Sequence, residues 1–318
     1  MFLSCGDALF DMFAGGDEAD ISAVTLNGRI GGSALNVALG LARLGHASAF
    51  FTKMSNDLFG RRIRLFMERE NIDARFLVDT ERHTTLAIIA LSAAGVPGYD
   101  FYIEGTADRS LVPAEVPGHF PDALAAIHFA GSYSTVSEPT ASALARLAAQ
   151  EHGRRFISYD PNIRASVQPD LDIWRSRIGA TMPFVSLVKA SEEDLEQVFP
   201  GRGIETVMAD WISAGASLAV VTLGERGAVA MARGGAQARV AGRSVAVADT
   251  VGAGDTFQAT LLARLFESGL LSADRVAALD PRTLEELLDF AVRAAAITCS
   301  RRGADLPRRA DLGLEPLR

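Results

Sequence analysis

Lysine is nearly absent. Lys53 and Lys189 are the only two in 318 residues, and arginine supplies the rest of the 31 basic side chains. A coding bias toward arginine explains the scarcity, yet a surviving lysine is also what remains where a compact, point-like cation is needed. Both follow apolar, strand-like runs, residues 49–52 and 184–188. Cysteine is as scarce: Cys5 and Cys299 are too few for a disulfide framework or a cysteine-based zinc site, and they fit a reducing compartment. Excess positive charge is missing too. A net charge of −8 and a pI near 5.2 argue against nucleic acid or an anionic membrane as a general partner, so any phosphate binding must be local. No apolar run is long enough to span a bilayer, and the N-terminus has no basic segment leading into an apolar one, so a soluble, cytoplasmic protein is expected. The pattern Gly-x4-Gly-Lys-Ser/Thr is absent, which leaves a P-loop NTPase unsupported. Internal repeats, low-complexity segments and long linkers are absent as well. With 48% apolar residues the chain can bury a large core, as one big domain or two small ones.

The most informative stretch is Asp249-Thr250-Val251-Gly252-Ala253-Gly254-Asp255-Thr256-Phe257. Alternating Val245, Ala246, Val247 and Ala248 before it predict a strand, and the apolar spacing of residues 257–266 predicts a helix. The glycines then fall at a strand-to-helix turn. There the backbone can approach a ligand closely, and the first helical amides, lacking intrahelical acceptors, can hold an anion together with the helix dipole. Asp255 adds a carboxylate beside that anion, an odd choice for a plain phosphate cradle but a sensible one for a base next to a transferred group. Two other readings compete. Asp255 could be an N-cap after a tight turn, or the glycines could begin a Gly-x-Gly-x-x-Gly dinucleotide fingerprint, although Phe257 replaces its third glycine.

The stretch resembles the C-terminal signature of the ribokinase-like sugar kinases, the phosphofructokinase-B family. That resemblance implies that Asp255 is the base for the accepting hydroxyl, and that the amides of Gly252, Ala253 and Gly254 stabilise charge on the transferred phosphoryl group. An ordinary aspartate, with a pKa of about 3.9, is a weak base. Phosphoryl transfer through a loose transition state asks more for orientation and electrostatic stabilisation than for basicity. The resemblance also implies a role for Asp249 in placing a monovalent cation such as K+.

Other stretches acquire meaning in the same way. Gly6-Asp7-Ala8-Leu9-Phe10-Asp11 reads by itself as a solvated loop; it resembles the opening of the family's fructokinase branch, with Asp7 where glutamate is usual, and implies that Asp11 binds sugar hydroxyls. Residues 31–45 read as a glycine turn, a small-residue helix packed closely at Gly40, and a terminating glycine. The resemblance makes Gly31, Gly32 and Asn36 sugar contacts, and Asn can both donate to and accept from hydroxyls. After a βαβ rhythm over residues 47–69, the runs 84–91 and 99–103 resemble paired strands of a small sheet that, with residues 12–30, forms a lid over the sugar and excludes water. Phe101 lies in that lid and is a sugar-binding candidate. Thr106-Ala107-Asp108 resembles a stretch common in fructokinases. His128 reads as a core histidine. Asp160-Pro161-Asn162-Ile163-Arg164 follows a strand, where open α/β sheets bind ligands, and Arg164 is able to approach sugar or phosphate. Ser191 and Asp194 cap a helix; the resemblance puts them, with Lys189, at the nucleotide and magnesium, where the family has Asn-x-x-Glu. Thr222, Gly224 and Gly227 form a tight turn that is implied to line the nucleotide. A last helix over 284–299 is implied to border the adenine.

The resemblance covers nearly the whole chain. It implies a single α/β domain, 1–318, with a mostly parallel central sheet flanked by helices on both faces and a β-strand lid formed by about 12–30 and 84–105. The implied activity is Mg2+- and ATP-dependent phosphorylation of a sugar's terminal hydroxymethyl, with D-fructose giving fructose 6-phosphate. A 2-keto-3-deoxygluconate kinase, a silent sugar-binding sensor and, last, a dehydrogenase are the alternatives. A homodimer through the lid is also implied.

Overall fold

Short apolar strands, buried on both faces, form the centre of the molecule; the computed structural model describes residues 1–15, 22–91 and 97–317. In chain order the first strands are β1 (Phe2–Cys5), β2 (Leu9–Gly15), β3 (Thr25–Gly31), β4 (Ser48–Phe51), β5 (Lys53–Ser55), β6 (Ile72–Asp73), β7 (Val78–Thr80), β8 (Thr85–Leu91) and β9 (Pro97–Tyr102). Then come β10 (Ala126–Ala130), β11 (Phe156–Asp160), β12 (Leu187–Ser191), β13 (Leu218–Thr222), β14 (Ala228–Ala232) and β15 (Gln237–Val240). The helices are α1 (Ser33–Arg43), α2 (Leu58–Arg69), α3 (Thr140–Glu151), α4 (Leu171–Thr181), α5 (Glu192–Val198), α6 (Ile204–Ala214), α7 (Ala253–Glu267), α8 (Ala273–Ala277) and α9 (Pro281–Cys299).

Among the described residues a nine-stranded sheet runs in the order β15-β14-β13-β12-β11-β10-β1-β4-β6. It is parallel from β6 to β13 and antiparallel at the β14 and β15 edge. Alternation along each strand divides the core. Leu3 and Cys5 of β1 face α3 to α6, where Leu147, Trp174, Val198 and Trp211 pack. Phe2 faces α1 and α7 to α9, where Leu41, Leu261, Val276 and Leu288 pack. A parallel sheet with two covered faces requires this near-continuous apolar composition. The architecture is the α/β sandwich expected from the sequence.

A second sheet, β3-β2-β8-β9, is built from the runs expected to form the lid. The middle of the first run, 16–21, and the turn region at 92–96 lie outside the described residues. The strand expected at 245–248 does not form. Val245 and Val247 are exposed, and the segment runs past the end of α9, where the Ala248 amide donates to the Cys299 carbonyl at 2.8 Å. Its Val-Ala alternation fits a pleated surface, but among the described residues β15 is the sheet edge and no strand pairs with this segment.

Candidate active site

The carboxyl ends of β11, β12 and β13 and the amino end of α7 meet where open α/β sheets bind ligands. Gly252 ends the irregular segment in a left-handed conformation, φ 80° and ψ 0°, and caps α7, which starts at Ala253. A Cβ there would come within 2.9 Å of Ala304, so both the backbone angle and the space require glycine. The N-cap reading of Asp255 is therefore corrected: the cap is Gly252, and Asp255 sits one turn in, where a carboxylate also suits the helix dipole. The amides of Gly254 and Asp255 are first-turn donors with no intrahelical acceptor.

Asp255 is held by two donors. Ser33 Oγ donates to Oδ1 at 2.6 Å and Asn36 Nδ2 donates to Oδ2 at 2.8 Å. Burial raises its pKa against the opposing effects of Ser33 and Asn36 and of the Lys189 and Arg164 charges. Each oxygen keeps a lone pair for an incoming hydroxyl. Both partners come from the start of α1, which packs along α7. At Gly40 a Cβ would lie 2.6 Å from Ala259 Cβ, so that close packing, expected from the sequence, brings the two helix ends together.

Lys189 is buried, and its Nζ donates to Asp160 Oδ2 at 2.7 Å. Burial lowers its pKa, but Asp160, Asp194 and Asp255 more than offset that, and the ammonium stays charged. A Cβ on Gly254 would lie 3.1 Å from Nζ, so this cation borders the helix start. Asp160 is pushed up to about 6 by burial, against the pull of Lys189. Lys53, the other lysine, instead pairs with Glu115 at 2.6 Å and is structural.

Asp11 lies on β2, on a strand and not in a solvated loop. It stands directly opposite Arg29 of β3 and Ala87 of β8, and Ala87 stands opposite Phe101 of β9. Directly paired residues point to one face, so Asp11 and Phe101 share the face that continues toward Arg164. Burial raises the Asp11 pKa to about 6, the Arg164 charge lowers it, and Asp249 raises it. Gly31 backs this carboxylate: a Cβ would lie 2.4 Å from Asp11 Oδ2. Gly32, at φ 111°, packs on the Asp7 carbonyl.

The two carboxylates expected at a metal have backbone work. Asp194 accepts from the Ser191 amide and hydroxyl at 2.9 and 2.7 Å and from the Ile163 amide at 2.8 Å. Asp249 accepts from the Val251 and Gly303 amides at 3.1 and 2.8 Å. Among the described residues no group of three acidic, His or Cys side chains could hold a metal ion. Of the residues expected to line a nucleotide, Ser191 of β12 pairs in register with Thr222 of β13. Gly224 and Gly227, at φ 59° and 95°, then turn the chain into β14. His128 is a buried core histidine, with its pKa lowered to about 3 by burial and the Lys189 charge. Ser33 was not anticipated as a functional residue. Its partners lie 26 and 222 positions away, and only its place beside Gly32 could have flagged it.

The description "pfkB family carbohydrate kinase" matches residues 4–311. A fructokinase of Rhizobium leguminosarum bv. trifolii is 35% identical over 309 residues, covering 97% of this chain and 91% of that protein. A fructokinase of Xylella fastidiosa solved with bound ATP superposes with a TM-score of 0.85 at 24% identity, covering 98% and 96% of the two chains. A double-mutant fructokinase of Vibrio cholerae O395, in a form with fructose, ADP and potassium ion bound, gives a TM-score of 0.79 at 27% identity, covering 98% and 96%. No helix among the described residues is long and apolar enough to cross a membrane.

Proposed function

The chain belongs to the pfkB family of carbohydrate kinases, and from that premise we propose that it transfers the γ-phosphoryl group of ATP to the terminal hydroxymethyl of D-fructose, giving fructose 6-phosphate. The observation that carries this reading is Asp255, fixed by Ser33 and Asn36 at the start of α7 and flanked by Lys189 and Arg164. The hydroxyl proton passes to Asp255 as the sugar oxygen bonds to the γ-phosphorus. The bond to the β–γ bridging oxygen breaks, and its electron pair leaves with ADP. The amides of Gly252 and Gly254 and the Lys189 ammonium stabilise the charge on the phosphoryl oxygens, whereas the Ala253 amide, also expected there, is already engaged by the Thr250 carbonyl at 3.2 Å. The raised pKa of Asp255 makes it a better acceptor than an ordinary aspartate.

Asp11, Gly31, Gly32, Asn36, Phe101 and Arg164 surround the sugar, with the β3-β2-β8-β9 sheet as the lid that excludes water. Ser191, Thr222, Gly224 and Gly227 line the nucleotide. With Asp194 and Asp249 engaged by backbone amides, Mg2+ accompanies the ATP phosphates; Asp249 is the candidate beside a K+ ion. The exposed Leu26 and Tyr102 on the second sheet, with exposed Val24 just before β3, support a homodimer through the lid.

Fructokinase relatives support fructose as the acceptor. A second reading, 2-keto-3-deoxygluconate, draws on Arg29 standing opposite Asp11, which with Arg164 offers a cation for a sugar carboxylate. The test is ADP release with Mg-ATP, with and without K+, across fructose, 2-keto-3-deoxygluconate, ribose, adenosine and no sugar. Turnover selective for fructose supports the proposal, and selective turnover of the sugar acid replaces its substrate. Asp255→Ala should lower kcat by about a thousandfold or more while sugar binding persists.

A further inference from the structure

Behind the pocket, Asp7 is 2% exposed. Its Oδ2 accepts the backbone N–H of Ser33 at 3.2 Å, while Oδ1 has no hydrogen-bond partner among the described residues. The groups facing it are acids: Asp108 and Tyr133 on one side, and on the other Asp255, which itself faces Lys189 and Arg164. Asp108 is already engaged, accepting from the Thr85, Thr106 and Tyr133 hydroxyls at 2.6, 3.2 and 2.5 Å. A carboxylate buried among acids without a cation is expensive, and holding the first amide of α1 does not require it, since asparagine caps a helix equally well. The charge calls for another explanation.

Ser33 supplies one. Its main chain is gripped by Asp7, while its hydroxyl donates to Asp255 Oδ1 at 2.6 Å. We propose that Asp7 is a positioning residue for the phosphoryl-transfer base: it fixes Ser33, and Ser33 fixes the Asp255 carboxylate so that a free lone pair meets the accepting hydroxyl. This rests on the reading of Asp255 as the base. The Asp7 charge adds to the effect, because a neighbouring anion opposes loss of the proton that Asp255 accepts. Burial and the Asp108 and Asp255 charges raise the Asp7 pKa to about 7, so the relay loses its charge as pH falls through neutrality.

The experiment uses the full chain and whichever sugar of the panel turns over, with kcat and KM measured from about pH 5 to 9 and thermal melts alongside. Ser33→Ala should lower kcat about tenfold with sugar KM changed less than about threefold, and Ser33→Thr, which keeps the hydroxyl, should recover most of the loss. Asp7→Asn keeps an acceptor for the Ser33 amide and removes the charge; it should lower kcat roughly fivefold and move the acid limb of kcat to lower pH. Wild-type kcat with an unmoved limb in a folded Asp7→Asn overturns the relay. If that variant does not fold, the serine pair decides: a Ser33→Ala enzyme as fast as wild type, or a threonine that rescues nothing, overturns it. Activity surviving in Asp255→Ala sinks the base itself, a separate outcome from failure of the relay alone.

Discussion

Burial raises the pKa of several carboxylates around the pocket, Asp255 and Asp108 among them, and three are pushed up furthest into the neutral range: Asp7 to about 7, Asp11 to about 6 and Asp160 to about 6. Burial leads in each case, and the sign of its effect on stability follows. Above the folded pKa these groups must be held ionised in a site that prefers them neutral, so they oppose folding. As pH falls through the folded pKa toward the unfolded value near 4, the penalty disappears. Asp7, whose pKa is raised furthest of the three, gives the clearest test. Asp7→Asn should be more stable than wild type at pH 8 by about 1–4 kcal/mol, and the difference should shrink toward zero near pH 4. Urea unfolding at several pH values reads this directly; a variant equally less stable at both ends would mean that the amide cannot replace the carboxylate at Ser33. A residue that costs stability yet holds Ser33, the proposed orienting partner of Asp255, fits a site selected for chemistry.

At the scale of elements, α1 against α7 sets the geometry around Asp255, the proposed base. Gly40 lets the helices approach until a Cβ would lie 2.6 Å from Ala259 and 2.9 Å from Leu306. Gly40→Ala gains helix propensity of about 1 kcal/mol, but overpacking of backbone-close atoms costs about 1–3 kcal/mol. The net expectation is a lower melting temperature, with kcat reduced more than sugar KM because Ser33 and Asn36 move away from Asp255; an unchanged or higher melting temperature would show that the interface can give. Much of this pair was legible in the sequence. Gly31-Gly32 followed by small residues marked α1, and the 249–257 stretch marked the start of α7 and its aspartate. Lid strands 84–91 and 99–103 could be read from their apolar runs. What could not be read was closure across the chain. That Ser33 donates to residue 255, or that Asp108 gathers Thr85, Thr106 and Tyr133, follows from tertiary approach, and no local pattern encodes it. The false strand at 245–248 has the complementary cause, since alternation records only a face and not whether a neighbouring strand is there to pair.

For the whole molecule, the question is what holds the glycine turn at 252–254 in place. The segment after α9 returns behind the turn. The Gly303 amide donates to Asp249, Ala304 fills the space beside Gly252, and a Cβ at either Gly252 or Gly40 would meet fully buried Leu306, at 3.5 and 2.9 Å. Two carboxylates tie the following residues down. Glu70 accepts from Arg43 and Arg308 at 2.9 Å, and Glu267 accepts from Arg309 at 2.5 Å while bonding His46 at 3.0 Å. Burial alone would raise the pKa of both acids, but their arginines lower it, so this anchorage holds above the ordinary carboxylate range and weakens as pH falls through the depressed values. Leu306 is thus the point where global anchorage meets the site. Leu306→Ala should cost about 2–5 kcal/mol through the cavity it leaves. Because that cavity opens behind Gly252, kcat should fall even at temperatures where the fold is intact, and the ATP KM should rise with it. A buried leucine of similar exposure on the opposite face of the sheet, Leu147, serves as the control. If Leu147→Ala, at equal loss of stability, lowers kcat as much as Leu306→Ala does, the loss reflects stability in general, and the segment after α9 has no particular hold on the turn.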